Sequence, residues 1–406
     1  MTTPSVSVTP AATRWPQVAL IVFVGALAAC QIGKVAPALP VMRADLGMDM
    51  VGAGWMASVY TGTAMVLGLV GGMLADRYGH RNTLVTGLLL IALGSAAGSQ
   101  MDTLGPLIVS RIVEGMGFVL IVVSAPALIF GVVAPKDRGL AMGAWGLFMP
   151  LGLTVMLLLA PVILVAWDWR VLWLVNAALA LVAAALLVLS GIGGARKPVD
   201  PAKLWRDLAI TVKLPAPWVL SIAFGIFSAQ FSAVNAWLPT YLIETQGRST
   251  AEAGAMAAFI AIIYAPGAVL GGFLVGRGVP RWLVIAGACG TMGLGGLIAF
   301  GLGLGPVVSF GGIMLLSITA GLVPTAILAA APVMAPSMAQ VGAFNGILIH
   351  GANVGTLLGP PAFATVVSHI GGWSGGGLYL MLVGLAGIVT ALYIRRLEWR
   401  IAAQKG

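Results

Sequence analysis

The 406 residues are 60% hydrophobic and only 8% charged, with a formal net charge of +9. A water-soluble domain of this size would lack the polar residues to cover its surface, so composition excludes a soluble enzyme or binding module and makes lipid the solvent. Nucleic acid is not the partner that the positive balance implies, because Lys and Arg are spread over short breaks between apolar runs rather than gathered on one polar segment.

Each crossing of a hydrocarbon core about 30 Å thick takes roughly 20 apolar residues in a helix. Residues 1–14, rich in Ser, Thr and Pro, lack the apolar stretch of a cleavable signal and read as a disordered tail. Apolar runs then predict membrane helices over 15–39, 51–75, 82–100, 104–133, 139–164 and 170–191. A polar, basic stretch, 192–215, reads as a solvated linker with room for a short surface helix. Further helices are predicted over 216–242, 252–275, 282–304, 306–334, 339–367 and 374–395, followed by a polar tail, 396–406. Continuous runs of this kind exclude a transmembrane strand barrel, which shows short alternating segments. The fold class is therefore all-α, an integral membrane protein of twelve helices.

Charge placement orients the chain. With both termini in the cytoplasm, Arg14, Arg77, Arg81, Lys136, Arg138, Arg277, Arg281, the linker and the C-terminal arginines share that side, against Arg43, Arg170 and Arg248 on the other. Cys30 and Cys289 fall inside predicted helices and read as apolar packing rather than a disulfide or a metal site.

The chain repeats itself at an offset of about 200 residues. Leu39-Pro40 returns as Leu238-Pro239, Gly72 with Arg77 and Arg81 as Gly272 with Arg277 and Arg281, and Gly143-Ala144 with Gly146 as Gly342-Ala343 with Gly346. Two pseudo-symmetric bundles of six helices, 15–191 and 216–395, follow.

The break after the second helix reads Gly72-Met73-Leu74-Ala75-Asp76-Arg77-Tyr78-Gly79-His80-Arg81. It resembles the signature loop of the major facilitator superfamily. The fourth helix carries Arg111-Ile112-Val113-Glu114-Gly115-Met116-Gly117, which is similar to that family's second motif. The strings 33–40 and 236–242, with the Glu-Gly after Arg111, resemble the bacterial cyanate and nitroimidazole transporter branch. The resemblance implies the twelve-helix major facilitator fold in the bacterial inner membrane and transport by alternating access. It also implies a gating role for Asp76, Arg77 and Arg81. His80 replaces the loop's usual basic residue, and Gly276 stands where the second copy's carboxylate would be.

The residues themselves nominate a site. A three-residue spacing puts Arg111 and Glu114 on one helical face, and intramembrane charges are expensive enough to require a partner. The pair is either a static tie between helices or part of a relay in which Glu114 carries a proton. Lys34, beside Gln31, either snorkels to the outer interface or adds a second cation that favours an anionic solute. Gln230, Asn235 and Asn353 are intramembrane amides that bridge helices or hydrogen-bond the solute, and His350 is a second candidate for the proton. Trp145, Phe148, Phe227, Phe231, Trp237 and Tyr264 are candidates for an aromatic wall.

No Gly-x-x-x-x-Gly-Lys-Ser/Thr loop occurs, which excludes a self-contained ATP-driven pump and leaves secondary transport. The fifth helix, Gly146-Leu147-Phe148-Met149-Pro150-Leu151-Gly152, departs from the Gly-Pro pattern of family antiporters and favours uptake. The expectation is a monomeric, proton-coupled or facilitative importer of a small anion, without cofactor, metal or enzymatic activity, embedded in membrane lipid. A proton-driven exporter of drugs or aromatic metabolites is the alternative.

Overall fold

The computed structural model describes residues 12–193, 201–335, 337 and 340–405. Most of the expected N-terminal tail and residues 194–200 of the expected linker, including Arg196 and Lys197, lie outside them. Among the described residues there is no strand, and twelve helices are long and apolar enough to cross a membrane. They are α1 (Trp15–Leu46), α2 (Met50–Tyr78), α3 (His80–Gly98), α4 (Leu104–Val132), α5 (Pro135–Ala166), α6 (Trp169–Leu189), α7 (Pro215–Gln246), α8 (Thr250–Gly276), α9 (Arg281–Gly301), α10 (Pro306–Met334), α11 (Val341–Ile370) and α12 (Ser374–Lys405). Every crossing expected from the apolar runs is present, and a shorter helix, Pro201–Thr211, occupies the linker.

Local chemistry sets the ends of these helices. Proline opens α1, α7 and α10, where its missing N–H belongs to a turn that has no intrahelical partner anyway. Ser249 and Glu252 form a reciprocal capping box at the start of α8. Gly247 and Gly371 end α7 and α11 with φ of 62° and 78°, a conformation a side chain would strain. Inside α5, Pro150 cannot donate to the Gly146 carbonyl, and the helix is interrupted at Leu147.

Two compact units emerge. The first comprises Met1–Met42 with Val59–Val199, the second Arg43–Ser58 with Asp200–Gly406. The division does not follow the chain strictly. Arg43 pairs with Glu244 at 2.8 Å, and the Gly54 backbone lies against Pro360 and Pro361, so the end of α1 and the start of α2 group with the second unit.

The first unit packs an apolar core from Val18, Ile21, Val24, Leu88, Ile121, Ile129 and Leu187, among others. Without a hydrophobic drive between helices in lipid, close backbone approach has to hold them. Glycine supplies it here. A Cβ at Gly33 would fall 2.9 Å from the Leu153 carbonyl, joining α1 to α5, and one at Gly94 would fall 2.7 Å from Cγ of Glu114, joining α3 to α4. In the second unit Gly351, Gly355 and Gly359 of α11 meet Ser221, Gly225 and Ala229 of α7. Small residues four apart on both helices let the two backbones touch.

Candidate functional site

Lys34 sits at a break in α1. Pro37 has no N–H for the Gly33 carbonyl, so the helix stops at Gly33 and resumes at Val35. The Lys34 amide still donates to the Cys30 carbonyl at 2.9 Å, which keeps the two segments nearly continuous. The lysine does not snorkel, since both Lys34 and its partner Glu114 have fully buried side chains.

The partner comes from α4. Lys34 Nζ donates to Oε1 of Glu114 at 2.8 Å and to the Ser95 hydroxyl on α3 at 2.8 Å. Arg111 holds the other oxygen, Oε2, and donates through Nη2 to the Gln31 carbonyl at 3.0 Å. The Ser95 hydroxyl lies between Oε1 of Glu114 and Oε1 of Gln31, and the Gln31 amide donates to Asn176 of α6 at 3.0 Å. One carboxylate therefore receives a different cation on each oxygen, and α1, α3 and α6 contribute to the shell around α4.

Aromatic faces complete the enclosure. Trp173 lies 4.3 Å from Lys34 Nζ, and Tyr60 lies 4.6 Å from the Arg111 guanidinium while donating its hydroxyl to the Ala28 carbonyl at 2.7 Å. Such faces stabilise a desolvated cation by about 2 kcal/mol or more. Gly115 lets the α2 backbone at Tyr60 approach α4. Nε of Arg111 is buried and has no hydrogen-bond partner among the described residues.

Charge does not balance in this cluster. An arginine guanidinium keeps its positive charge inside proteins. Glu114 is the one buried carboxylate among the described residues, against the buried Lys34 and Arg111. With Lys34 protonated and Glu114 ionised, one positive charge remains in excess in a medium where it is expensive.

The other sequence-nominated residues occupy separate places. In the second unit, Gln230 is buried on α7 and donates to the Leu380 carbonyl at 2.8 Å, leaving its own carbonyl oxygen without a partner among the described residues. Asn235 donates back along α7 to Phe231 at 2.8 Å; Asn353 is half-buried and His350 exposed, both on α11. The aromatic residues divide into three groups. Trp145 stacks on Phe148 at 4.3 Å in α5, and Phe227, Phe231 and Tyr264 form a series with centroids 5.8 and 5.1 Å apart. Trp237 instead joins Trp373, and its indole donates to the Pro360 carbonyl at 3.0 Å. In the α2–α3 turn, Asp76 lies 3.7 Å from Nε2 of His80, Arg77 covers Tyr78, and Arg81 donates to the Val188 carbonyl at the end of α6, at 2.6 Å.

Residues 21–348 match the Major Facilitator Superfamily. The chain belongs to that family. It is 28% identical to the probable nitrate/nitrite transporter NarK2 of Mycobacterium tuberculosis, over 84% of this chain and 87% of the relative. It is 26% identical to the cyanate transport protein CynX of Escherichia coli over 58% of this chain and 61% of the relative. The puromycin resistance protein pur8 of Streptomyces alboniger is 32% identical over 43% of this chain and 35% of its own length. A bacterial homologue of the lysosomal transporter Spinster superposes with a TM-score of 0.78 over 94% of both chains at 15% identity, which establishes a shared fold alone.

This major facilitator therefore resembles the branch with which its motifs were matched, as a multi-pass membrane protein built for secondary transport. Four residues of its buried cluster escaped the sequence reading: Tyr60, Ser95, Trp173 and Asn176. Asn176 carries the same signal as Gln230, Asn235 and Asn353, a lone amide in an apolar helix. Ser95, Tyr60 and Trp173 carried none, because serine and aromatic residues are ordinary in membrane helices.

Proposed function

We propose that this chain carries a small monovalent anion across the bacterial inner membrane by alternating access, in the direction of uptake, with Lys34, Glu114 and Arg111 coupling anion to proton. The observation that carries the reading is the single Glu114 carboxylate shared between two buried cations. While Glu114 is ionised it acts as the internal counter-ion. When it takes a proton, Lys34 and Arg111 lose that counter-charge, and an incoming anion supplies it. Anion and proton thus load together. Nitrate and cyanate, named in the two transport relatives, have the charge that such a site selects.

Gln31 would hydrogen-bond the solute beside Lys34. Gln230, Asn235 and Asn353 are the second half's polar contacts in this reading, and His350 its second proton-bearing group. Asp76, Arg77 and Arg81 gate the movement. The units that move are 15–191 and 216–395, in a monomer whose termini are cytoplasmic.

A second reading, export of flat aromatic compounds, draws on the Phe227, Phe231 and Tyr264 series and on the resistance relative. Thermal unfolding of the purified chain with nitrate, cyanate, benzoate and a lipophilic cation separates the two. A ligand at a hundred times its Kd stabilises by about 2.7 kcal/mol. The anions are expected to raise Tm, and Lys34→Gln and Arg111→Lys to abolish that rise in protein that still unfolds cooperatively. A rise with the lipophilic cation alone would transfer the assignment to the exporter.

A further inference from the structure

A second cluster of cations lies in the second unit, where α12 leaves the apolar part of its span. Arg395 is about 32 Å along α12 from Ser374, one hydrocarbon thickness. It meets the opposite boundary where α9 begins, at Arg281 and Trp282. The Arg395 guanidinium lies 5.0 Å from the Trp282 ring and 4.4 Å from the Trp399 ring. Two indole rings therefore lie against this one guanidinium.

The surroundings of Arg395 fit a phosphate. Arg281 pairs with Glu398 at 3.3 Å, which ties α9 to α12 and occupies the nearby carboxylate. No ion pair to Arg395 is formed by the described residues, and Arg396 and Arg400 add two further cations within the next helical turn and a half. Trp399 is 63% exposed and Tyr393 55%, the aromatic character of a membrane boundary. Guanidinium forks match phosphate oxygens bidentately, and basic residues just outside a span attract anionic lipid.

We propose that Arg395, set against Trp282 and Trp399, binds the phosphodiester headgroup of an anionic phospholipid. The site is independent of the transported solute. It fixes the α9–α12 pair at one membrane boundary through a lipid rather than a protein contact.

Thermal unfolding of the full chain in mixed micelles tests this, with phosphatidylglycerol, phosphatidylcholine or inorganic phosphate added. Phosphatidylglycerol should raise Tm well above the phosphatidylcholine value, with no effect of inorganic phosphate. Arg395→Gln should remove most of that difference, whereas Arg396→Gln, the same change in charge one residue away, should remove little. Trp399→Leu keeps every charge and should also shrink the difference, which covers the case of a poorly folding arginine variant. Equal losses from the two arginine variants would mean diffuse attraction and overturn the site. So would reproduction of the effect by inorganic phosphate, or no preference for phosphatidylglycerol in the parent chain.

Discussion

Glu114→Ala is expected to destabilise the first unit by about 3–5 kcal/mol, the usual penalty for removing one partner of a buried ion pair. The loss is large because two cations depend on this carboxylate. Lys34 would retain the Ser95 hydroxyl and the Trp173 face, and Arg111 the Gln31 carbonyl and the Tyr60 face, none of which carries charge. The double variant Lys34→Met with Glu114→Gln removes one cation along with the carboxylate, and it should be less destabilised than the sum of its single substitutions. Tm measured for the four proteins of that cycle reads the coupling directly; additive effects would mean that Lys34 and Glu114 do not act as a unit. Glu114→Gln alone keeps the shape and separates stability from coupling. In liposomes it should still bind nitrate or cyanate but should no longer acidify the lumen as the anion enters. Acidification of parental size would remove Glu114 from the proton path.

Gly355→Val is expected to disrupt the second unit, at or beyond the upper end of the roughly 1–3 kcal/mol typical of overpacking. A Cβ at Gly355 runs into the Gly225 carbonyl, and backbone, unlike the tip of a flexible side chain, cannot step aside. Gly351 and Gly359 pack as closely against Ser221 and Ala229, so lifting α11 at Gly355 would open those contacts as well. The Ser221 hydroxyl, which donates to the Ile347 carbonyl at 2.8 Å, would lose its acceptor as α11 lifted. Gly346→Ala on the same helix is the control. A Cβ there meets nothing within 4 Å, and alanine favours the helix by roughly 1 kcal/mol over glycine. A lower Tm for Gly355→Val beside an unchanged or higher one for Gly346→Ala is the expected pair of results. Equal behaviour would mean that contact with α7 does not decide the stability of α11.

The buried cluster was half legible in the chain. Arg111 and Glu114 lie three apart on one helix, so their pairing follows from helical periodicity. Lys34 is 80 positions from Glu114, and nothing local distinguishes a lysine that snorkels from one that turns inward. Tertiary contacts decide it, with Ser95 of α3, Glu114 of α4 and Trp173 of α6 around the lysine. The aromatic residues show the opposite failure. Counted along the chain, Trp237 resembles Phe231, yet the six positions between them rotate it to another face of α7, where Trp373 meets it.

Apolar run length, helix-end chemistry and the Gly and Arg motifs determined the solvent, the twelve crossings and the family. Each of these depends on neighbours within a few turns or on the thickness of the bilayer, and both can be counted in one dimension. Which charges meet, which amides bridge helices and which aromatics share a face depended on the rotation and depth of each helix. In lipid those are set by backbone contacts at Gly33, Gly94, Gly115 and Gly355 with residues remote in the chain. Tertiary packing alone therefore placed a second basic side chain on Glu114 and made it the shared carboxylate from which the proposed function is drawn.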